Sequence, residues 1–285
     1  MPTFERLPGS TDFTSGAHWR NIADDTTGTA PSTGDSWIMN GIADAITVNV
    51  GSAATWANVW ILNHTGQLGA SGSPLTSGTM TGKVYVDSPS SSGLFLGFVV
   101  PILIVLNGSP GKTGCVILGT VTALYGYRAQ QLRIGAAATV TTAHIRGTTA
   151  NDVLNVHVEA GAAIATWNQT RGNTTYMSDL TSGTLNLAGG SFRNEGSGSG
   201  GNLDTINQWG GKLLLEADKA TYATLTMHGG ECIANKGKTA TVTNSSVFTG
   251  ARLIADSRVT FTNNTDVAGG VADTHGGKNI IEAPI

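Results

Sequence analysis

Apolar and polar residues alternate along most of this chain in short runs, and glycine punctuates the runs at near-constant intervals. In the last third, Gly190, Gly211, Gly230, Gly250 and Gly270 are separated by 21, 19, 20 and 20 residues. A strand-like run precedes the marker, as in Thr184-Leu185-Asn186-Leu187 or Thr224-Leu225-Thr226-Met227. Another follows it, as in Lys212-Leu213-Leu214-Leu215-Glu216, Glu231-Cys232-Ile233-Ala234 and Ala251-Arg252-Leu253-Ile254-Ala255. Alternation with period two is the mark of a half-buried strand. A fixed interval of roughly 20 to 50 residues marks stacked repeats, each burying its apolar face against its neighbours. The pattern predicts an all-β chain, a β-solenoid of the parallel β-helix kind with rungs of about 20 residues.

Earlier runs at 37–39, 46–50, 59–62, 83–87, 115–118, 131–135 and 153–158 predict further strands on longer rungs, since Gly135 to Gly161 is 26 residues and Gly161 to Gly190 is 29. Longer rungs put inserted loops at corners, and 194–202, almost all Gly and Ser, reads as one. Residues 1–45 are polar, irregular and rich in turn formers. They are expected to cap the open end of the solenoid or, as the competing reading, to act as a docking arm. The body then spans 46–270, and 271–285 form a C-terminal tail.

The most apolar stretch, 94–106, carries no charge in thirteen residues. A membrane-spanning helix needs about 20, and Pro101 interrupts this one. It is expected to form two strands of a buried rung or subunit interface, with an exposed partner patch and a membrane-active segment as the alternatives.

Composition narrows the picture. Only 12% of the 285 residues are charged, against roughly 25% in an ordinary domain, and 39 are glycine. Low net charge, −3, with plentiful β-branched residues favours folding over disorder. A pI near 6.0 supplies no clustered basic face, so nucleic acid is not an expected partner. Cys115 and Cys232 stand far apart without metal-ligand spacing and are expected as small buried hydrophobes.

Candidate chemistry is sparse. Leu106-Asn107-Gly108-Ser109-Pro110-Gly111-Lys112-Thr113 superficially resembles a phosphate loop, but Leu106 stands where that loop needs its first glycine. His228-Gly229-Gly230-Glu231-Cys232 gathers three ligand types, yet alternation sends Glu231 and Cys232 to opposite faces. Residues one rung apart stack at about 4.8 Å, which makes Glu195 with Glu216 a candidate carboxylate pair for glycoside cleavage, and Asp218 with Asp256 a weaker one. No aromatic cluster accompanies them in the sequence: Trp19, Trp37, Trp56 and Trp60 gather near the N-terminus, while Trp167 and Trp209 stand alone.

The repeat form seen in Ala223-Thr224-Leu225-Thr226-Met227-His228-Gly229-Gly230 resembles that of bacteriophage virion β-solenoid proteins, of the capsid decoration (cement) or tail spike type. The opening Pro31-Ser32-Thr33-Gly34-Asp35-Ser36-Trp37-Ile38 looks like the Pro-x-x-Gly-Asp entry of such chains. The resemblance implies a rigid exported or virion-borne structural protein, commonly trimeric, and carries no catalytic residues to transfer; no cofactor or metal is expected. The polar N-terminus shows no secretory signal, which fits release by lysis.

The resulting expectation is a non-enzymatic cement protein on the capsid surface, a homotrimer binding the major capsid protein, with no nucleic acid or membrane partner. Trp19, Trp37, Phe95 and Phe98 are the expected partner contacts. The alternative is a tail fibre, spike or adhesin that binds a cell-surface glycan.

Overall fold

The computed structural model describes residues 1–48, 50–51, 53–88, 93–107, 114–128, 131–147, 154–178, 183–196, 203–234, 238–263, 265–268, 271–274 and 280–282. The fold is all-β, a parallel β-solenoid of about nine rungs of roughly 20 residues, with almost no helix. The chain divides into two compact units, residues 1–141 with 148–155, and residues 142–147 with 156–285.

In the first unit Ser36–Asn40, Val59–Leu62, Lys83–Asp87, the second half of Leu94–Asn107, and Thr120–Gly126 pair in parallel, one strand per rung. Two inward rows result. Trp37, Val59, Val84, Leu103 and Leu124 form one, and Met39, Ile61, Val86 and Val105 the other, all without solvent exposure. A third enclosed row is Ile46, Leu68, Leu94, Cys115 and Leu132. Stacking identical faces this way lets each rung bury its apolar set only on the rungs beside it.

That stacking already operates within residues 1–45. Thr3–Arg6 runs parallel to Ser36–Asn40 and antiparallel to Trp19–Asn21. The core there is aromatic: Phe13 lies 5.2 Å from Trp19 and 5.4 Å from Trp37, and Trp56 lies 5.4 Å from Trp37 and 6.4 Å from Phe98, mostly edge to face. Arg6 is buried beside it, its guanidinium 5.3 Å from the Trp19 ring centroid. It donates to the carbonyls of His18, Ser10 and Asp12, which pins the loop 10–18.

The segment 94–106 is one continuous strand, Leu94–Asn107, rather than two. Its burial nevertheless changes phase at Pro101 and Ile102, both half-buried, so inward positions are 94, 96, 98 and 100 before the proline and 103 and 105 after it. The first half pairs with Leu75–Thr79 and Cys115–Ile117, the second with Lys83–Asp87. Pro101 has no N–H to give the ladder, and its place at the phase change lets one strand serve two sides of a rung.

In the second unit Ala163–Gln169, Thr184–Leu187, Thr205–Gln208, Ala220–Met227 and Ala240–Phe248 form one parallel ladder. Asn173–Tyr176, Ser191–Asn194, Lys212–Leu215, Gly230–Ala234 and Ala251–Ala255 form another. The glycine markers are the corners between them. Gly190, Gly211 and Gly230 have φ of +79°, +75° and +81°, and a Cβ on each would fall 2.3–2.5 Å from the carbonyl oxygen of Gly172, Gly190 or Gly211 in the preceding rung. Gly250 shares the conformation, φ +86°, with nothing within 4 Å. Gly270, the phosphate-loop look-alike at 108–113, and 197–202 lie outside the described residues. In the segment expected as a tail, Val271–Thr274 and Ile280–Glu282 continue the parallel pairing.

The corners also need their carbonyls satisfied. Gln169 and Gln208, both buried, turn their amides to them: Gln169 donates to Gly172 and Ser191, and Gln208 to Gly211 and Glu231, at 2.9–3.2 Å.

Candidate functional site

On the outward face of the first unit apolar side chains line up in register from rung to rung. The register that buries Trp37 and Met39 turns the residue between them outward, and repeating this rung by rung gives the row Ile38, Trp60, Tyr85, Ile104 and Tyr125. All five are half-buried. A solvated sheet face normally carries polar residues at these positions. A contiguous run of Ile, Trp, Tyr, Ile and Tyr is instead the kind of surface that marks an interaction site. Ile102 and Ala123 widen it on the adjoining row, opposite Lys83.

Of the expected partner contacts, Phe95 is half-buried on the outward side of its strand, beside Val116. Trp19, Trp37 and Phe98 are corrected: they are enclosed in the first unit's own aromatic core, with exposures of 0%, 0% and 1%. Their parity within the strand points them inward, and no partner reaches them while the fold is intact. Trp60, by contrast, is a half-buried tryptophan on the outward row.

In the second unit the candidate carboxylates Glu195 and Glu216 do come together, with an arginine between them. Arg193 lies 2.8 Å from Glu195 and donates to Glu216 at 2.7 Å. The neighbouring row continues the pattern, Lys212 to Glu231 at 3.6 Å and Arg252 to Glu231 at 3.3 Å, on successive rungs. This is a surface ion-pair ladder, of the kind that contributes about 0–1 kcal/mol per pair. Asp218 and Asp256 serve turns: Asp218 accepts from Thr239, whose backbone N–H holds its carboxyl below the ordinary range, and Asp256 accepts from the Arg258 backbone.

The triplet His228, Glu231 and Cys232 disperses as alternation requires, with His228 exposed, Glu231 ion-paired and Cys232 in the core. Burial alone pushes the Cys115 thiol up to about 12, and burial together with the nearby Glu231 charge raises that of Cys232. Among the described residues no group of three or more His, Cys, Asp and Glu side chains is placed to hold a metal ion. No described helix is long and apolar enough to cross a membrane.

The two tryptophans expected to stand alone do not. Trp167 is buried against Tyr176 and Phe192. Trp209 is exposed and stacked on His228 of the following rung, which in turn stacks on Phe248 of the next. No family model, curated protein or solved structure matches the chain.

Proposed function

We propose that this chain is a non-enzymatic structural protein of a phage particle, a decoration or cement protein that docks as a homotrimer on the major capsid protein. The observation that carries the reading is the outward row Ile38, Trp60, Tyr85, Ile104 and Tyr125 on a body made of continuous parallel ladders. Interface cores are enriched in aromatic residues and depleted of charge. Such a face supplies adhesion by burial, with no chemistry asked of it, and the stacked rungs hold its five side chains in a fixed line. Reinforcement of a shell follows when one stiff body bridges neighbouring capsomers.

The test is co-sedimentation of the purified chain with shells that lack it, alongside the oligomeric mass by light scattering. Wild-type chain is expected to sediment with the shells as a trimer. Tyr85→Lys with Ile104→Lys, two outward substitutions that leave the inward rows untouched, is expected to stay folded by circular dichroism and remain in the supernatant. Sedimentation of the double variant at wild-type level contradicts docking through this face.

A further inference from the structure

The second unit carries a different outward surface. Gln169, Leu187, Gln208, Met227 and Val247 are in register on five successive rungs. The residues that follow them, Thr170, Ala188, Trp209, His228 and Phe248, therefore occupy one row. The last three stack: Trp209 and His228 have centroids 5.8 Å apart with planes 13° off parallel, and His228 and Phe248 are 4.9 Å and 4°. The stack ends at Trp209 because the preceding rung offers only the methyl of Ala188. One indole face is covered by His228 and the other by no ring among the described residues, and Trp209 is 51% exposed.

Beside this row the same face is lined with amides and hydroxyls. Two positions back stand Asn168, Asn186, Asn207, Thr226 and Ser246, and two further back Thr166, Thr184, Thr205, Thr224 and Asn244. Asn207 Nδ2 donates to Asn186 Oδ1 at 2.9 Å, and Asn186 Nδ2 to Asn168 Oδ1 at 2.8 Å. The chain of bonds fixes the orientation of the amides, and each uses only part of an asparagine's two donors and two acceptor lone pairs. None of the fifteen residues named is Lys, Arg, Asp or Glu; the charged members of these rows stand at their ends, Asp266 beside Ser246 and Arg146 on the rung before Thr170, away from Ala188 and Trp209.

We propose that this face binds a neutral hexopyranose glycan, one sugar ring lying on the uncovered face of Trp209 above Ala188, with its hydroxyls reaching the Asn186 and Asn207 amides. A pyranose has apolar C–H faces and a rim of hydroxyls, and the surface offers one aromatic plane bordered by oriented polar groups. A single strand of nucleic acid also stacks on aromatic rings but needs cations along its backbone, and the positions around Ala188 and Trp209 supply none. An acidic sugar needs a cation for its carboxylate. A protein partner anchors aromatic side chains in dry apolar surroundings, whereas here the rows beside the ring carry amides and hydroxyls. The inference does not rest on the shell-docking reading, which concerns the first unit.

The experiment is saturation-transfer NMR on the full chain with neutral gluco-, galacto- and manno-configured oligosaccharides, with polygalacturonate and oligothymidylate as comparators. Transfer to sugar C–H protons is expected from at least one neutral oligosaccharide and from neither comparator. Trp209→Ala is expected to weaken binding more than tenfold, the size of a hot-spot truncation. Ala188→Phe leaves Trp209 in place and extends the stack to a fourth ring. It is expected to abolish binding with an unchanged or higher unfolding midpoint, which separates loss of the site from loss of fold. Absence of transfer from every neutral oligosaccharide, binding undiminished in Ala188→Phe, or preference for either comparator overturns the proposal. Tyr85→Lys, which tests the shell-docking surface, is expected to leave sugar binding unchanged, so the two readings fail separately.

Discussion

Replacing Gly211 by alanine, with Gly250→Ala as its control, tests the physical basis of the repeat. Both residues have left-handed backbone, φ +75° and +86°, so both variants incur the cost of an L-residue there, about 1–2 kcal/mol. They differ in surroundings. At Gly211 the new Cβ meets the Gly190 carbonyl oxygen at 2.5 Å and the Gly189 carbonyl carbon at 2.8 Å, backbone of the preceding rung that cannot rotate away. At Gly250 nothing lies within 4 Å. Forcing a methyl into packed backbone adds about 1–3 kcal/mol, giving about 2–5 kcal/mol for Gly211→Ala against about 1–2 kcal/mol for Gly250→Ala. Urea unfolding followed by far-ultraviolet circular dichroism reads the difference. With a slope of about 3 kcal/mol/M the two midpoints separate by roughly 0.3–1 M. Coincident midpoints would refute the claim that close rung stacking, rather than turn conformation alone, demands glycine at these corners.

Two further predictions concern the first unit. His64 is fully enclosed, and burial holds its pKa below the ordinary 6.5 against the smaller, opposing pull of the Gln67 and Ile42 backbone. The unfolded chain then binds the proton more readily, so stability is full above pH 6.5 and falls as pH drops through 6.5 toward the lowered folded value, by at most about 1.4 kcal/mol per pH unit. Unfolding midpoints measured from pH 8 to 4.5 should show this slope, and His64→Leu should flatten it above the carboxylate range; an unaltered slope in that variant assigns the effect elsewhere. Arg6→Met removes a buried guanidinium that serves three carbonyls and faces Trp19. It should cost about 2–4 kcal/mol by loss of charged hydrogen bonds and the unmasking of their acceptors, checked by the same denaturation, and a cost under 0.5 kcal/mol contradicts the strut role.

The solenoid was legible in the sequence because its most restrictive requirement falls on a residue type. Only glycine fits where Gly190, Gly211 and Gly230 meet the rung before, so the period is written in glycine. Strands such as Val59–Leu62 and Lys83–Asp87 were legible from alternation, since their inward positions are uniformly apolar. Which aromatic rings face out was misread because clustering along the chain carries no direction. Parity does: Trp37 sits two residues before the inward Met39, while Trp60 precedes the inward Ile61 by one. The Trp209 stack also had a readable signal, because Ala188, Trp209, His228 and Phe248 each stand at the same step before a glycine marker. The corner amides of Gln169 and Gln208 and the enclosed ring of His64 had none, since their roles depend on which backbone groups the fold brings to them.

The most direct test of the proposed structural role is cryo-electron microscopy of phage particles assembled in the presence of this chain. The account predicts density at regular positions over the shell, with the face holding Trp60, Tyr85 and Tyr125 turned against the coat protein. Density confined to the tail, or a shell contact made through another face with this row left in solvent, contradicts it.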